Sequence, residues 1–401
     1  MNPVVAFTVV MLVWTVSDFV AKKTKSLLSS LFVASIIFLI GFLSGLFPHD
    51  LLAASSLLAL AGVVVGFIIV HLGTMISLDD FKKQWRTFLI GASTVVGIGV
   101  SLYVASLIFG GSIAGSAQDG YAQARDFVIA GTGALSGGTI SVILVQDAAL
   151  GVGLTSVAIF PVLIAALQGL IGFPLTSIIL KREAARLKGE YREGNLTPAE
   201  TLEAEATATS HLPAALTTTA GTLFVVGIAV LVSIGINNLT NGILNTFVVA
   251  LILGITLRTL GIFKPSVLGG IDALGLMMIA IMILIFGPLA TIEPSDVSAL
   301  AGPLLIAFVF GILGIGLFSA GVGKLLGYSI PMSLAIGLTS LYGFPGTMIL
   351  SQEAARGAGD SPEEVAAIEH EILPKMIVAG FSTVTITSVI VTSILVGRIG
   401  G

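Results

Sequence analysis

Apolar residues in this chain come in long runs, not in the alternation of half-buried strands or the single stripe of a helix on a soluble core. A helix crosses a hydrocarbon layer ~30 Å thick in about 20 residues. Runs of that order lie at 4–20, 27–47, 52–76, 87–110, 125–149, 154–180, 215–236, 242–263, 266–292, 297–320, 330–352 and 372–397. Six runs, a polar gap at 181–214 and six more divide the chain into halves. The gap carries Lys181, Arg182, Glu183, Arg186, Lys188, Glu190, Arg192, Glu193, Glu200, Glu203 and Glu205. Its first part has helical character and its Thr/Ala-rich end does not, which predicts a short surface helix followed by a mobile linker.

Two runs are interrupted. Run 125–149 holds Gly131-Thr132-Gly133-Ala134-Leu135-Ser136-Gly137-Gly138-Thr139, and run 330–352 holds Gly337 and Tyr342-Gly343-Phe344-Pro345-Gly346-Thr347. Within a helix glycine costs about 1 kcal/mol and proline about 3. Backbone groups freed at membrane depth must be buried in protein or face a wet cavity, so each segment is predicted to be a re-entrant hairpin. Each half then crosses five times, and the second enters the membrane upside down relative to the first. An N-terminus outside places Lys22, Lys23, Lys25, Lys82, Lys83, Arg86, the basic residues of 181–192, Arg258, Lys264, Lys324, Arg356 and Lys375 in the cytoplasm. Only Arg125 and Arg398 remain outside, as the positive-inside rule requires; counting the broken segments as full crossings would export the 181–192 cluster. The expectation is an all-α integral membrane protein of the cell membrane, with about ten transmembrane helices plus two re-entrant hairpins. Two inverted-topology repeats, 1–180 and 215–401, flank a cytoplasmic linker at 181–214, and both termini lie outside.

Composition agrees: 55% of the 401 residues are apolar and 10% charged, against roughly a quarter charged in soluble proteins. The 48 glycines far exceed the 14 prolines, as where helices pack through small residues in a bilayer. A soluble enzyme is excluded, and a net charge of −4 offers nucleic acid no basic surface. Without cysteine there is no disulfide, thiolate metal site or Cys nucleophile, and four scattered histidines make no metal cluster. The first run follows Met1-Asn2-Pro3 with no basic n-region or cleavage site, and reads as a retained span, not a signal peptide.

The halves echo one another. Gly138-Thr139, Gln146-Asp147-Ala148-Ala149 and Pro161-Val162-Leu163-Ile164-Ala165-Ala166 answer to Gly346-Thr347, Gln352-Glu353-Ala354-Ala355 and Pro374-Lys375-Met376-Ile377-Val378-Ala379. Upstream, Ile76-Ser77-Leu78-Asp79-Asp80 answers to Ile292-Glu293-Pro294-Ser295-Asp296. Paired broken helices in inverted repeats are the layout of secondary transporters. On these features the chain resembles the glutamate:sodium symporter family and the related 2-hydroxycarboxylate transporters. The resemblance implies sodium-coupled carriage of a small carboxylate and a homodimer. It covers nearly the whole chain in architecture but some twenty residues in motif. The families' Gly-Gly-x-Gly signature is incomplete here, with Ser136-Gly137-Gly138-Thr139 in one hairpin and Gly343-Phe344-Pro345-Gly346-Thr347 in the other.

Half-helix N-termini suit a carboxylate, and unwound carbonyls and hydroxyls suit Na⁺. Ser136, Gly137, Gly138, Thr139, Gly343, Pro345, Gly346 and Thr347 are therefore the expected substrate-binding tips; the bland reading is that these small residues only let helices pack. Gln146 and Gln352 add amides able to donate and accept. Asp147 and Glu353 are read as gate residues or as solvated carboxylates at the hairpin mouths. Lys375 is a candidate partner for a substrate carboxylate, by analogy with the arginines of those carriers, or an interfacial anchor, as is Arg356. Thr139, Thr347 and Asp272 are candidate Na⁺ ligands, Asp272 being read as an acid one or two turns into its span, there as a functional group or as a helix cap. Asp18 reads as a partner of Lys22, His71 as a satisfied polar residue, and 360–371 as an N-capped, solvated helix. The expected partners are a small anionic or zwitterionic solute and the lipid bilayer, with Na⁺ as coupling ion and no other cofactor. The alternative is a cation/proton antiporter, which needs acids deep in its spans; a membrane-embedded enzyme would need a catalytic constellation that is not visible, and a channel or scaffold with no coupled transport is a third reading, against which the doubled hairpin argues.

Overall fold

The computed structural model describes all residues except 115–122, 197–211, 243 and 270. Its regular elements are all helical, and several start where the sequence supplies a cap. Asn2 caps α1 (Pro3–Lys23) and Ser29 caps α2 (Ser30–Leu43). There follow α3 (Leu51–Ala54), α4 (Leu57–Met75), α5 (Leu78–Lys83), α6 (Trp85–Ala114), α7 (Ala124–Leu135), α8 (Thr139–Gly151) and α9 (Thr155–Arg192). Past the undescribed linker, Thr218 caps α10 (Thr219–Leu239) and Asn245 caps α11 (Thr246–Thr259). The chain continues through α12 (Leu274–Phe286), α13 (Pro294–Ala299), α14 (Ala301–Leu325), α15 (Ile330–Leu338), α16 (Gly346–Ala358), α17 (Pro362–Phe381) and α18 (Ser388–Val396). A π-helical stretch, Ser382–Thr387, joins α17 to α18 in one long rod.

Among the described residues eight helices are long and apolar enough to cross a membrane. The chain is a multi-pass integral membrane protein. The 14-residue α2 and α11 rise about 21 Å each at 1.5 Å per residue, short of a full hydrocarbon layer.

Packing sorts the helices into two bundles. One holds α1–α4 with α10–α12; the other holds α6–α9 with α14–α18. Glycine brings backbones together at a helix crossing in each. A Cβ on Gly73 of α4 would stand 2.3 Å from the Leu251 carbonyl of α11, and one on Gly254 would stand 2.3 Å from the Val70 carbonyl. In the second bundle a Cβ on Gly314 of α14 would stand 2.3 Å from the Gly97 carbonyl of α6. Backbones in such contact collect dispersion energy that a bilayer does not supply between bulkier helices.

Helix boundaries recur at a constant offset, the 216 residues that separate Pro3 from Thr219. The same offset relates the ends of α1 and α10, both ends of α2 and α11, both ends of α5 and α13, and the starts of α6 and α14. The corner between the first two helices of each set is built alike. Thr24 Oγ1 accepts from the Leu28 amide at 3.2 Å, and Thr240 Oγ1 accepts from the Leu244 amide at 3.2 Å.

Two sequence expectations need correction. Residues 181–192 are not a separate surface helix but the last turns of α9, where Arg186 bridges Glu183 and Glu190; the expected mobile linker falls largely at 197–211, outside the described residues. The segment after 358 is not simply solvated. Ser361 caps α17 as expected, but Asp360 pairs with Lys188 at 2.7 Å and Arg192 at 2.8 Å, and Glu364 pairs with Arg192 at 2.7 Å. Donation by the Lys188 ammonium, and then by the Arg192 guanidinium, holds the Asp360 carboxyl below the usual carboxylate range.

Candidate functional site

Each interrupted segment folds back toward the end it came from. Asp126, near the start of α7, accepts from the Gly400 amide at 3.2 Å, and Val152, just past α8, packs on the same Gly400. The ring of Phe127 stands 5.1 Å from that of Phe160, near the start of α9. Both ends of this segment therefore lie at the N-terminal end of α9. The second segment lies the other way. Ser329, which caps α15, donates to Glu183 at 2.6 Å, while Asp360, just past α16, takes Lys188. Both of its ends sit at the C-terminal end of α9, and its turn reaches the middle of that helix, where the Tyr342 hydroxyl donates to Thr176 at 3.0 Å.

The two turns meet. Gly137 takes a φ of +81°, open to glycine at no steric cost, and a Cβ there would stand 2.1 Å from the Ser340 carbonyl oxygen. A Cβ on Gly138 would stand 2.4 Å from the Val384 carbonyl, and the Val384 side chain lies against both Gly137 and Gly343. The π-helical stretch is thus the third wall of the junction. Its register shift changes which carbonyls the ladder uses, and such bulges recur at functional sites. The Phe344–Pro345 peptide is cis, and the Phe344 ring stacks on Phe381 at 5.9 Å.

Hydroxyls crowd this junction. Ser388 bridges the arms of the first segment, 2.6 Å from both Ser136 Oγ and Ser141 Oγ. Thr339 Oγ1 bonds the Ile336 carbonyl at 2.7 Å and lies 3.3 Å from Thr383 Oγ1. The buried Ser340 and Thr347 hydroxyls find no partner at all, nor do Thr392 Oγ1 and Gln168 Oε1. Buried polar atoms are rarely left so, and an exception asks for an explanation. Both α8 and α16 begin at the junction without a side-chain cap; the first amides of α8 and both positive dipole ends face it, while in α16 the Thr347 amide bonds the Gly343 carbonyl at 3.0 Å and the Met348 and Ile349 amides bond the Pro345 carbonyl at 3.2 and 3.3 Å.

Of the residues singled out from sequence, Ser136, Gly137, Gly138, Gly343, Pro345, Gly346 and Thr347 come together here. Thr139 heads α8 but is exposed, unlike buried Thr347. Gln146 is half-buried an arm's length from the turn; Gln352 donates to Glu369 at 3.1 Å. Lys375 pairs with Glu371 at 2.7 Å and lines a cavity of about 400 Å³ at the basic end of the molecule with Arg86, Glu183, Arg186 and Ser329. Asp272 is not inside a span: it is exposed in the turn before α12, which packs on α4 in the other bundle. Asp18 does pair with Lys22, at 2.6 Å, and His71 is buried and accepts from the Leu268 amide at 3.1 Å. Among the described residues no group of His, Cys, Asp and Glu is placed to hold a metal ion. Sequence reasoning missed Ser340, Ser388 and the π-helical stretch, although Ser382-Thr383-Val384-Thr385-Ile386-Thr387 is a hydroxyl run in an otherwise apolar span.

Comparison with protein-family models and with curated proteins gives no match to this chain.

Proposed function

We propose that the protein is a secondary active transporter that carries a small carboxylate or amino acid in symport with sodium by alternating access. The two broken segments are read as re-entrant hairpins entering from opposite faces of the membrane, each belonging to one of two inverted repeats. One observation carries the reading: two helix breaks from opposite ends of α9 meet through Gly137 and Ser340, beside unpartnered hydroxyls and the uncapped N-terminus of α8. Uncapped amides offer a carboxylate its lost hydration, and hydroxyl and carbonyl oxygens do the same for Na⁺. The bundle that holds both hairpins is the moving part, and α1–α4 with α10–α12 form the scaffold, which also serves as the surface of a homodimer. The antiporter alternative leaned on an acid inside a span, and Asp272 stands outside one.

Purified protein in proteoliposomes is to be tested with labelled glutamate, malate and citrate, with and without an inward sodium gradient. Uptake of one of these that collapses without sodium is expected. Uptake driven by protons alone, or cation exchange with no organic solute, overturns the assignment.

A further inference from the structure

Glu353 lies on α16 about two turns past the second break, and its carboxylate leaves the hairpin bundle altogether. Oε1 accepts from the Ser30 amide at 3.1 Å and from the Ser30 hydroxyl. Ser30 is the first residue of α2, so the carboxylate sits on the N-terminus of a scaffold helix, where amides and dipole favour an anion. Two more contacts fasten the same place: the Ser26 hydroxyl donates to the Glu353 carbonyl at 2.9 Å, and a Cβ on Gly357 would stand 3.1 Å from the Lys25 carbonyl. Lys25 and Ser26 hold φ of 48° and 56°, uncommon for residues with a Cβ. Strain of this kind gathers at switches. At this end of the molecule the hairpin arm is closed onto the scaffold corner.

The opposite end has the same parts, apart. The α10–α11 corner repeats the α1–α2 corner at the 216-residue offset, down to positive φ at Asn241 (50°) and Gly242 (81°) where Lys25 and Ser26 stand. Asn245 caps α11 as Ser29 caps α2, and Thr246 takes the place of Ser30. The arm that answers to α16 is α8, with Gln146-Asp147-Ala148-Ala149-Leu150-Gly151 against Gln352-Glu353-Ala354-Ala355-Arg356-Gly357. Yet Asp147 is exposed, and a Cβ on Gly151 would meet nothing within 4 Å.

We infer that Glu353 and Asp147 are alternating positioning residues of the transport cycle. Glu353 seated on the N-terminus of α2 holds one face shut, as in this conformation. When it lets go and the bundle moves, Asp147 takes the corresponding seat on Thr246 at the N-terminus of α11. Two like latches, one engaged at a time, keep the bundle from resting midway. The inference rests on the carrier reading and adds to it which residues define its two end states.

The chain has no cysteine, so reporter pairs can be placed without background and without touching either carboxylate. Lys25→Cys with Gly357→Cys reports the seat at α2; Asn241→Cys with Gly151→Cys reports the seat at α11. Oxidative cross-linking in proteoliposomes is expected to favour the first pair. Glu353→Gln should raise the ratio of second to first cross-link about 5-fold, and Asp147→Asn should lower it about 5-fold, the low end of measured couplings between sites. Glu353→Asp and Asp147→Glu, which keep the charge, should restore it. A merely structural role would weaken both cross-links together. A second pair that never cross-links, or a ratio that neither substitution moves, overturns the inference. Solute uptake by the same vesicles separates the two readings: a moving ratio without uptake sustains the latch and defeats the carrier assignment, and uptake with a fixed ratio defeats the latch alone.

Discussion

At Gly137 two constraints coincide. Its φ of +81° alone costs a residue with a Cβ roughly 1–2 kcal/mol, and the added carbon would stand 2.1 Å from the Ser340 carbonyl. Gly137→Ala should therefore lower the thermal unfolding temperature of the detergent-solubilised protein and abolish uptake, whereas Gly151→Ala, with open space around it, should change stability by less than about 1 kcal/mol. Thr347 allows the opposite separation of function from folding. Its Oγ1 makes no bond within the protein, so Thr347→Ala removes no internal hydrogen bond and should lower the unfolding temperature only by the loss of one buried methyl, which packs on Gly380. If the hydroxyl binds solute or Na⁺, the loss of one hydrogen bond, about 1 kcal/mol, weakens the apparent affinity about 5-fold. Thr139→Ala, on the exposed side of the turn, should do less. An unchanged sodium and solute dependence in Thr347→Ala removes that hydroxyl from the site. The glycines and threonines of the turns could be picked out from sequence because glycine and proline inside an apolar run conflict with the helix. Ser340 and Ser388 could not, since a serine in a span can ordinarily bond a carbonyl of its own helix, and only the fold shows that Ser340 is left without a partner and that Ser388 bridges Ser136 and Ser141.

Among elements, the helix crossings are the clearest consequence of the glycine count. Gly73 and Gly254 bring α4 and α11 into backbone contact; Gly254→Val should separate them and shift the unfolding temperature of the scaffold downward by more than Gly151→Val shifts it, checked by thermal denaturation in one detergent. The ends of the second broken segment depend on charge instead. Asp360 is held below its ordinary pKa by Lys188 and Arg192. A depressed folded-state value means that this contribution is fully present above the unfolded pKa of about 3.9 and is lost as pH falls through the lower folded value. Stability should thus be insensitive to Asp360→Asn as an acid-loss effect only in strong acid: the variant should unfold more easily at pH 7, and the difference from the native chain should shrink as pH falls below about 4. The existence of the helices was legible from run length, but their ends were less so. Residues 181–192 looked like a surface helix because charge replaced apolar residues there, yet nothing in the sequence breaks the helix, and α9 runs through. Asp272 looked intramembrane because the apolar run starts at 266, but the helix begins only at Leu274, two residues past it.

For the molecule as a whole, the helix boundaries repeat at 216 residues while the basic residues do not. Lys82 and Lys83 end α5, and α13, its counterpart, ends without a basic residue. A repeat that kept its orientation would present both short helices to the same compartment and would have no reason to differ in this way. On the proposed inverted reading, an odd number of crossings between them would put them on opposite faces, and only one face would then select lysine and arginine. The echo of Ile76–Asp80 at Ile292–Asp296 has this offset too, which is why a five-residue similarity carried more information than its length suggested. Asp79 and Ser295 are corresponding positions, and both are exposed. In the cysteine-free chain, Asp79→Cys should react with a membrane-impermeant maleimide only from the cytoplasmic side of oriented vesicles, and Ser295→Cys only from the outer side. Reaction of both from one side would leave the repeat in place but take away its inversion, and with it the reason for two hairpins to approach a shared solute from opposite faces.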